Sequence, residues 1–284
     1  MNTSRIAFAK GHGAHNDFVL IDDSDGASDI SADDVVRLCE RTGGLGADGV
    51  IRVVRTAAAG IDAPAGAPEW FMDYRNADGS ISEMCGNGVR VFAAYLDRTG
   101  RAPGADFPIW TRAGVRRVEL LERPAADAEP RWQVRVGMGV SREDGAVRRV
   151  SIGGQQLDAV DVSMGNPHTV AWLPSSLPLA ELDLTTRPDL LPEPPEGANI
   201  ELVEDRGERH VAMRVHERGV GETLACGTGA CAVAVAAAAR AGDASGEPWR
   251  VDLPGGTLTI GWADDGEVTL AGPAEIVAEG TLLV

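Results

Sequence analysis

Two segments constrain this chain more than any others: Met84-Cys85-Gly86-Asn87-Gly88 and Ala225-Cys226-Gly227-Thr228-Gly229. Each sets a cysteine before a glycine, a small polar residue and a second glycine. Each then runs into an apolar stretch, at about 89–96 and 230–239, that reads as a helix. The fold must therefore supply two helix starts with a thiol at each. Unpaired N–H groups and the helix dipole favour an anion there. That setting lowers a thiol pKa and makes a thiolate available near neutral pH, and the same N–H groups can hold a carboxylate. Two such thiols on one substrate could take a proton from one face and return it to the other.

Most of the remaining chain reads as short strands between turn residues. They are expected at 17–22, 49–55, 70–76, 107–112, 115–122, 132–137, 147–152, 157–164, 169–173, 200–204, 210–216, 249–253, 257–262 and 267–271. One further helix has a start signal, Ser31 with Asp34 three residues on, and an apolar stripe of Val35, Leu38 and Cys39. Gly43-Gly44 is expected to end it. Residues 57–68, 123–130 and 187–197 read as loops, the last Pro-rich and polar. The order is that of a divergent duplication. Asn16 precedes Cys85 by 69 residues and Asn166 precedes Cys226 by 60, and each cysteine motif is followed by a helix and a strand. Two similar units, each of many strands around one helix, would bring two helix starts to a shared cleft, a favoured place for a small-molecule site.

A chain of 284 residues with 44% hydrophobic content can form a substantial core. The net charge of −17 argues against sequence-independent nucleic-acid binding. No signal-peptide pattern is evident, and the longest apolar run is too short to span a bilayer. The four cysteines, Cys39, Cys85, Cys226 and Cys231, show no metal-ligand spacing. We therefore expect a reduced, cytoplasmic protein without a metal. Among 26 basic residues there is a single lysine, Lys10. A pyridoxal-phosphate racemase needs a Schiff-base lysine, so only Lys10 could serve. No Gly-rich dinucleotide fingerprint follows a strand into a helix. No organic cofactor is expected.

Several motifs together resemble the diaminopimelate epimerase family of amino-acid epimerases. They are Lys10-Gly11-His12-Gly13-Ala14-His15-Asn16-Asp17-Phe18, Asn76-Ala77-Asp78-Gly79-Ser80, Cys85-Gly86-Asn87-Gly88, Ser163-Met164-Gly165-Asn166-Pro167-His168, Ala198-Asn199-Ile200, Glu217-Arg218-Gly219-Val220-Gly221-Glu222-Thr223, Cys226-Gly227-Thr228-Gly229-Ala230 and Leu253-Pro254-Gly255-Gly256. The resemblance implies an α+β fold of two pseudo-symmetric domains, each a β-barrel-like sheet around a central helix, with the active site in the interdomain cleft. The domains would be 1–137 with 273–284, and 138–272. It implies pyridoxal-phosphate-independent interconversion of LL- and meso-diaminopimelate, in lysine and cell-wall precursor synthesis, and a possible homodimer. Four positions depart from the family pattern. Gly49 stands where Gln is common, Ala14 and His15 where a larger apolar residue and Gly are common, and Thr228 where Ser is frequent, keeping a hydroxyl.

In that reading Cys85 and Cys226 are the acid/base pair. Gly86, Asn87, Gly227 and Thr228 would grip the reacting carboxylate. Asn16, Asn76, Asn166 and Asn199 suit a zwitterion, because each amide donates and accepts. Arg218 offers a fork for the distal carboxylate. His168 and Glu217 would support proton transfer, and His12 could serve the site or the structure. Alone, each residue has a plainer role: a packed thiol, an asparagine bonding its own turn, a solvated charge. Cys39 and Cys231 are read as core, and Asp17, Asp48 and Asp78 as turn or structural residues. Three other classes stay open: a proline- or hydroxyproline-racemase-like enzyme, a thiol-redox or binding protein switched by the cysteine pair, and an isomerase with a carboxylate base.

Overall fold

A computed structural model describes residues 5–28, 30–125 and 128–283. The chain divides into two compact units, residues 1–136 with 272–284, and residues 137–271.

The first unit runs β1 (Arg5–Gly13), β2 (Asn16–Asp22), α1 (Ala32–Cys39), β3 (Gly49–Arg55), β4 (Trp70–Asn76), α2 (Gly86–Arg98), β5 (Asp106–Thr111), β6 (Gly114–Glu122) and β7 (Arg131–Gly139). The second continues with β8 (Arg142–Ile152), β9 (Gln155–Ser163), β10 (Pro167–Trp172), β11 (Asp189–Leu191), β12 (Asn199–Gly207), β13 (His210–Glu217), β14 (Gly221–Thr223), α3 (Gly227–Ala241), β15 (Trp249–Leu253), β16 (Gly256–Trp262) and the start of β17 (Val268–Leu283), which from residue 272 belongs to the first unit.

In the first unit the ladder β1–β2–β3–β4–β5–β6–β7 closes through β17, which pairs with both β7 and β1. An eight-stranded barrel results, and closure leaves no exposed edge. Helix α2 packs against β1, β2, β3, β4 and β6, with every residue from Gly86 to Leu96 buried. A helix covered on all sides is expected to be apolar throughout; α2 instead buries Asn87, within the cysteine motif, and Arg90, two residues after it. In the second unit β8–β9–β10–β12–β13–β15–β16 and the start of β17 form one continuous ladder. Helix α3 packs against β9, β10, β12, β13, β15 and β16. Its alanines are small enough to let strands approach from several directions. A second cluster, including Val150, Leu157, Leu179, Leu184, Leu190 and Leu202, lies on the other side of this sheet.

The strand expectations hold in most places, with four corrections. β1 was not anticipated, because Lys10-Gly11-His12-Gly13 lacks an alternating pattern. β17 continues well past residue 271: its first residues pair with β16 and residues 275–283 pair with β1. The expected loop 187–197 contains β11, paired with β8 through Leu190. β14 is also extra. Two residues of the expected loop 123–130, 126 and 127, lie outside the described residues.

Both central helices begin three residues before their apolar runs, since Gly86-Asn87-Gly88 and Gly227-Thr228-Gly229 form their first turns. Helix α1 has the expected capping box between Ser31 and Asp34. It ends at Cys39 rather than at Gly43-Gly44. Glu40 is already extended, and its carboxylate accepts the Thr42 N–H at 3.1 Å, starting a new turn.

Candidate active site

Cys85 and Cys226 are both N-cap residues, with extended backbone (φ −137° and −117°) just before α2 and α3. Each thiol therefore sits where the orphan N–H groups of a buried helix begin.

In the first unit the β1–β2 hairpin delivers Asn16. Its two-residue turn is Ala14-His15, with φ of +53° and +62°. That left-handed geometry normally selects Asn-Gly. Asn16 Oδ1 lies 3.6 Å from the Cys85 sulfur and accepts from Asn87 Nδ2 at 3.2 Å. Asn16 Nδ2 donates to Asp48 at 2.6 Å, so both ends of the amide are fixed. Asp48 also takes the Asp17 N–H and the Arg41 guanidinium. Burial pushes the Asp17 carboxyl up, but Arg41 and Lys10 more than offset it and hold it below its usual range. Lys10 itself pairs with Asp17 and donates to the Gly46 carbonyl.

Arg90, one turn into α2 and fully buried, gives Nη2 to Asn87 Oδ1 at 2.9 Å, Nε to the Pro273 carbonyl at 3.1 Å and Nη1 to the Gly86 carbonyl at 3.4 Å. Gly13 is glycine for this guanidinium: a Cβ there would come within 2.9 Å of Arg90 Nη2. Asn76 is not joined to this group. It closes its own turn, donating Nδ2 to Ser80 Oγ at 3.0 Å. Gly49 pairs with Asn76 across β3 and β4 and admits no side chain, since a Cβ would come within 2.5 Å of the Arg75 carbonyl and of the Tyr74 ring. His12 lies 3.6 Å from Glu275, and burial lowers its pKa.

In the second unit the Cys226 sulfur accepts the Gly229 N–H at 3.4 Å and lies 3.5 Å from Thr228 Oγ1. Asn166 Nδ2 reaches the same hydroxyl at 3.4 Å, and Asn166 Oδ1 lies 3.0 Å from His168 Nε2. His168 and Asn199 are register partners on the parallel strands β10 and β12. Asn199 Oδ1 accepts the Arg218 N–H at 2.9 Å and so ties β12 to the end of β13. The Arg218 side chain is exposed and donates to the Glu196 carbonyl at 2.8 Å. Glu217 accepts from the Thr223 hydroxyl, and burial raises its carboxyl pKa, with Glu201 adding to the shift.

One expectation is corrected here. A helix start should lower a thiol pKa, yet Cys226 is pushed well above the ordinary thiol value. Burial is the largest cause, the charges of Glu217 and Glu201 add to it, and the Thr228 and Gly229 bonds only partly oppose it. Cys39, packed among Val19, Val35 and Val50, is pushed up to about 11 by burial. Cys231 is fully buried within α3.

Two site residues escaped the sequence. Arg90 sits in an apolar run and looks like a solvated helix charge. Glu201 follows Asn199 by two and so shares its face of the strand, but only the fold brings it to His168 Nδ1, at 2.6 Å. Among the described residues no cluster of His, Cys, Asp or Glu could hold a metal, and no helix is long and apolar enough to cross a membrane.

A barrel and a companion sheet, each around a helix that starts at a Cys-Gly-x-Gly segment, define an epimerase-type isomerase. The chain belongs to the diaminopimelate epimerase family, whose sequence profile matches residues 8–142 and 160–277. It is 50% identical to the diaminopimelate epimerase of Streptomyces coelicolor, over 98% of this chain and 96% of that one. It is 47% identical to that of Thermobifida fusca, over 97% of each. The fold recurs in solved structures of low sequence identity. A phenazine biosynthesis protein of the PhzF family from Bacillus anthracis has a TM-score of 0.70 at 16% identity, covering 99% of this chain and 100% of the other. A hydroxyproline epimerase from Agrobacterium vitis has a TM-score of 0.68 at 12% identity, covering 99% and 93%.

Proposed function

We propose that the chain interconverts LL- and meso-diaminopimelate by a two-base mechanism, without pyridoxal phosphate, in lysine and peptidoglycan precursor synthesis. The observation that carries this reading is the repetition of one chemical unit, a thiol capping the central helix of each half, in a chain of this family. In the proposal Cys85 and Cys226 address opposite faces of the α-carbon. One removes the proton as thiolate and the other returns one as thiol, which inverts the centre. Acid–base catalysis of this kind contributes about 10²–10⁴-fold.

The surroundings favour a division of labour in the resting enzyme. Cys226, buried and beside carboxylates, holds its proton, which assigns the role of base to Cys85. Charge developing on the substrate carboxylate is met by N–H groups of the first helical turns, at Gly86, Asn87, Gly227 and Thr228. Asn16, Asn76, Asn166, Asn199 and Arg218 recognise the zwitterionic ends, and His168 and Glu217 support proton transfer at Cys226. The single lysine supports independence from pyridoxal phosphate, because Lys10 is committed to Asp17 and the Gly46 carbonyl. Cytoplasmic location and a homodimer are part of the same reading.

The test is proton NMR of LL-diaminopimelate in D₂O with reduced protein free of pyridoxal phosphate. Loss of the α-proton signal with growth of the meso isomer is expected. Folded, reduced protein that exchanges nothing would reject this substrate and direct attention to proline-type amino acids.

A further inference from the structure

Glu201 is fully buried on β12, and among the described residues its Oε2 has no hydrogen-bond partner. A buried carboxylate is costly unless paired, and a buried ion pair is weak evidence for a stabilising role. Its one strong contact is Oε1 on His168 Nδ1 at 2.6 Å.

The other ring nitrogen of His168 also faces an oxygen, Asn166 Oδ1 at 3.0 Å. Asn166 is placed with Nδ2 towards the Thr228 hydroxyl and Oδ1 towards His168 Nε2. Asn199 Nδ2 lies 3.4 Å from His168 Nδ1, but it also donates to the Pro167 carbonyl at 3.3 Å, so the carboxylate is the nearer partner. A ring that gives N–H groups to two acceptors carries both protons.

Glu201 also lies against the start of α3. A Cβ on Gly229 would stand 2.8 Å from Glu201 Oε1 and 3.2 Å from the Cys226 sulfur, which puts those two atoms no more than 6.0 Å apart. The charged groups acting on this sulfur are Glu217 from β13 and Glu201 from β12, and His168 from β10 faces both carboxylates.

We propose that Glu201 is a positioning residue for the Cys226 half of the site. Its carboxylate holds His168 as an imidazolium, whose second N–H fixes Asn166 and, through it, the Thr228 hydroxyl beside the Cys226 sulfur. The inference rests on the reading of Cys226 as a proton-transfer group. Without the carboxylate a buried imidazolium has no counter-ion and sheds its Nε2 proton. The bare nitrogen then faces Asn166 Oδ1, acceptor against acceptor, and an amide that flips to relieve this no longer donates to the Thr228 hydroxyl.

The experiment compares the wild type, Glu201→Gln and Glu201→Asp by ¹⁵N NMR of the histidine rings at pH 7, with His168 assigned by its loss in His168→Asn, and by steady-state kinetics. Gln can still accept from Nδ1 but cannot balance the charge; Asp restores the charge at a shorter reach. The expected result is two protonated nitrogens on wild-type His168 and one in Glu201→Gln. In that variant kcat should fall about 10²-fold, the scale of an acid–base contribution, with KM within about twofold; Glu201→Asp should recover part of the rate. A lone-pair nitrogen on wild-type His168, an unaltered ring in Glu201→Gln, or a wild-type kcat in that variant would overturn the proposal. If Glu201→Gln does not fold, the wild-type spectrum and the aspartate variant decide. A wild type with the imidazolium but no epimerisation would reject the proposed function and leave the Glu201–His168 pairing standing.

Discussion

The two cysteine segments are nearly the same sequence in unlike surroundings. Around α2 the thiol is half-buried and makes no capping bond, and the ionised group inside the helix is a cation, Arg90. Around α3 the thiol is buried, accepts the Gly229 N–H and faces two carboxylates. The residue five positions after the cysteine is Arg90 in one helix and Cys231 in the other. A helix start supplies the same orphan N–H groups in both cases. Strands packed around it decide whether a proton stays on the sulfur. A duplicated motif can thus yield two thiols in unlike surroundings.

The largest effect should come from deleting either thiol. Cys85→Ala and Cys226→Ala are each expected to lower the epimerisation rate by at least about 10²–10⁴-fold. Each should leave the circular dichroism spectrum unchanged. Wild-type turnover in either variant would remove that half from the chemistry.

The contrast itself is sharpened by alkylation. Cys226 has a raised pKa, so it stays protonated through neutral pH and becomes nucleophilic only as the pH climbs above the ordinary thiol range. With iodoacetamide at pH 7.5, mass spectrometry should find Cys85 modified well before Cys226. The reverse order would contradict the assigned electrostatics.

Substitutions at the equivalent helix positions should separate the halves by stability. Arg90→Leu takes the donor from the Asn87 side chain and from the Gly86 and Pro273 carbonyls, at about 1–3 kcal/mol for each buried acceptor left unpaired. Urea unfolding should show a loss of at least about 2 kcal/mol. Cys231→Ala removes only a small packed group and should cost about 1 kcal/mol. Equal losses would erase the distinction.

The smallest effect concerns the hairpin that carries Asn16. Replacing Ala14-His15 with Asn-Gly relieves two left-handed residues, and the melting midpoint should rise by the equivalent of about 1–2 kcal/mol. No gain would mean that the turn is not strained.

Much of this was legible from residues alone. The helix starts at Cys85 and Cys226 followed from glycine spacing and apolar runs, and most strands from alternation. Asn16, Asn87, Asn166, His168 and Asn199 were singled out by motif, and each bonds within its own cysteine half. What stayed hidden depends on contacts distant in sequence. Glu201 reads as an ordinary strand residue until β10 pairs with β12 in register. Asp48 reads as a turn residue until it takes the Asn16 amide. The high pKa of Cys226 could not be read from its motif, because burial, its largest cause, and the carboxylates on β13 and β12 that add to it come only with the fold. β1 lacked alternation because glycines occupy Gly11 and Gly13, where α2 leaves no room for larger residues. Gly11 shows this directly: a Cβ there would come within 2.8 Å of Val91.

The central claim, two thiols dividing one proton transfer, is tested most directly by where solvent deuterium first appears. LL-diaminopimelate would be incubated with the wild-type enzyme in D₂O, and both isomers recovered at low conversion for mass spectrometry. The account predicts deuterium at the α-carbon of the meso product and essentially none in recovered LL substrate, since the second thiol delivers a solvent-derived proton to the opposite face. Deuterium entering the recovered substrate as fast as the product would mean that one base serves both faces, and would contradict it.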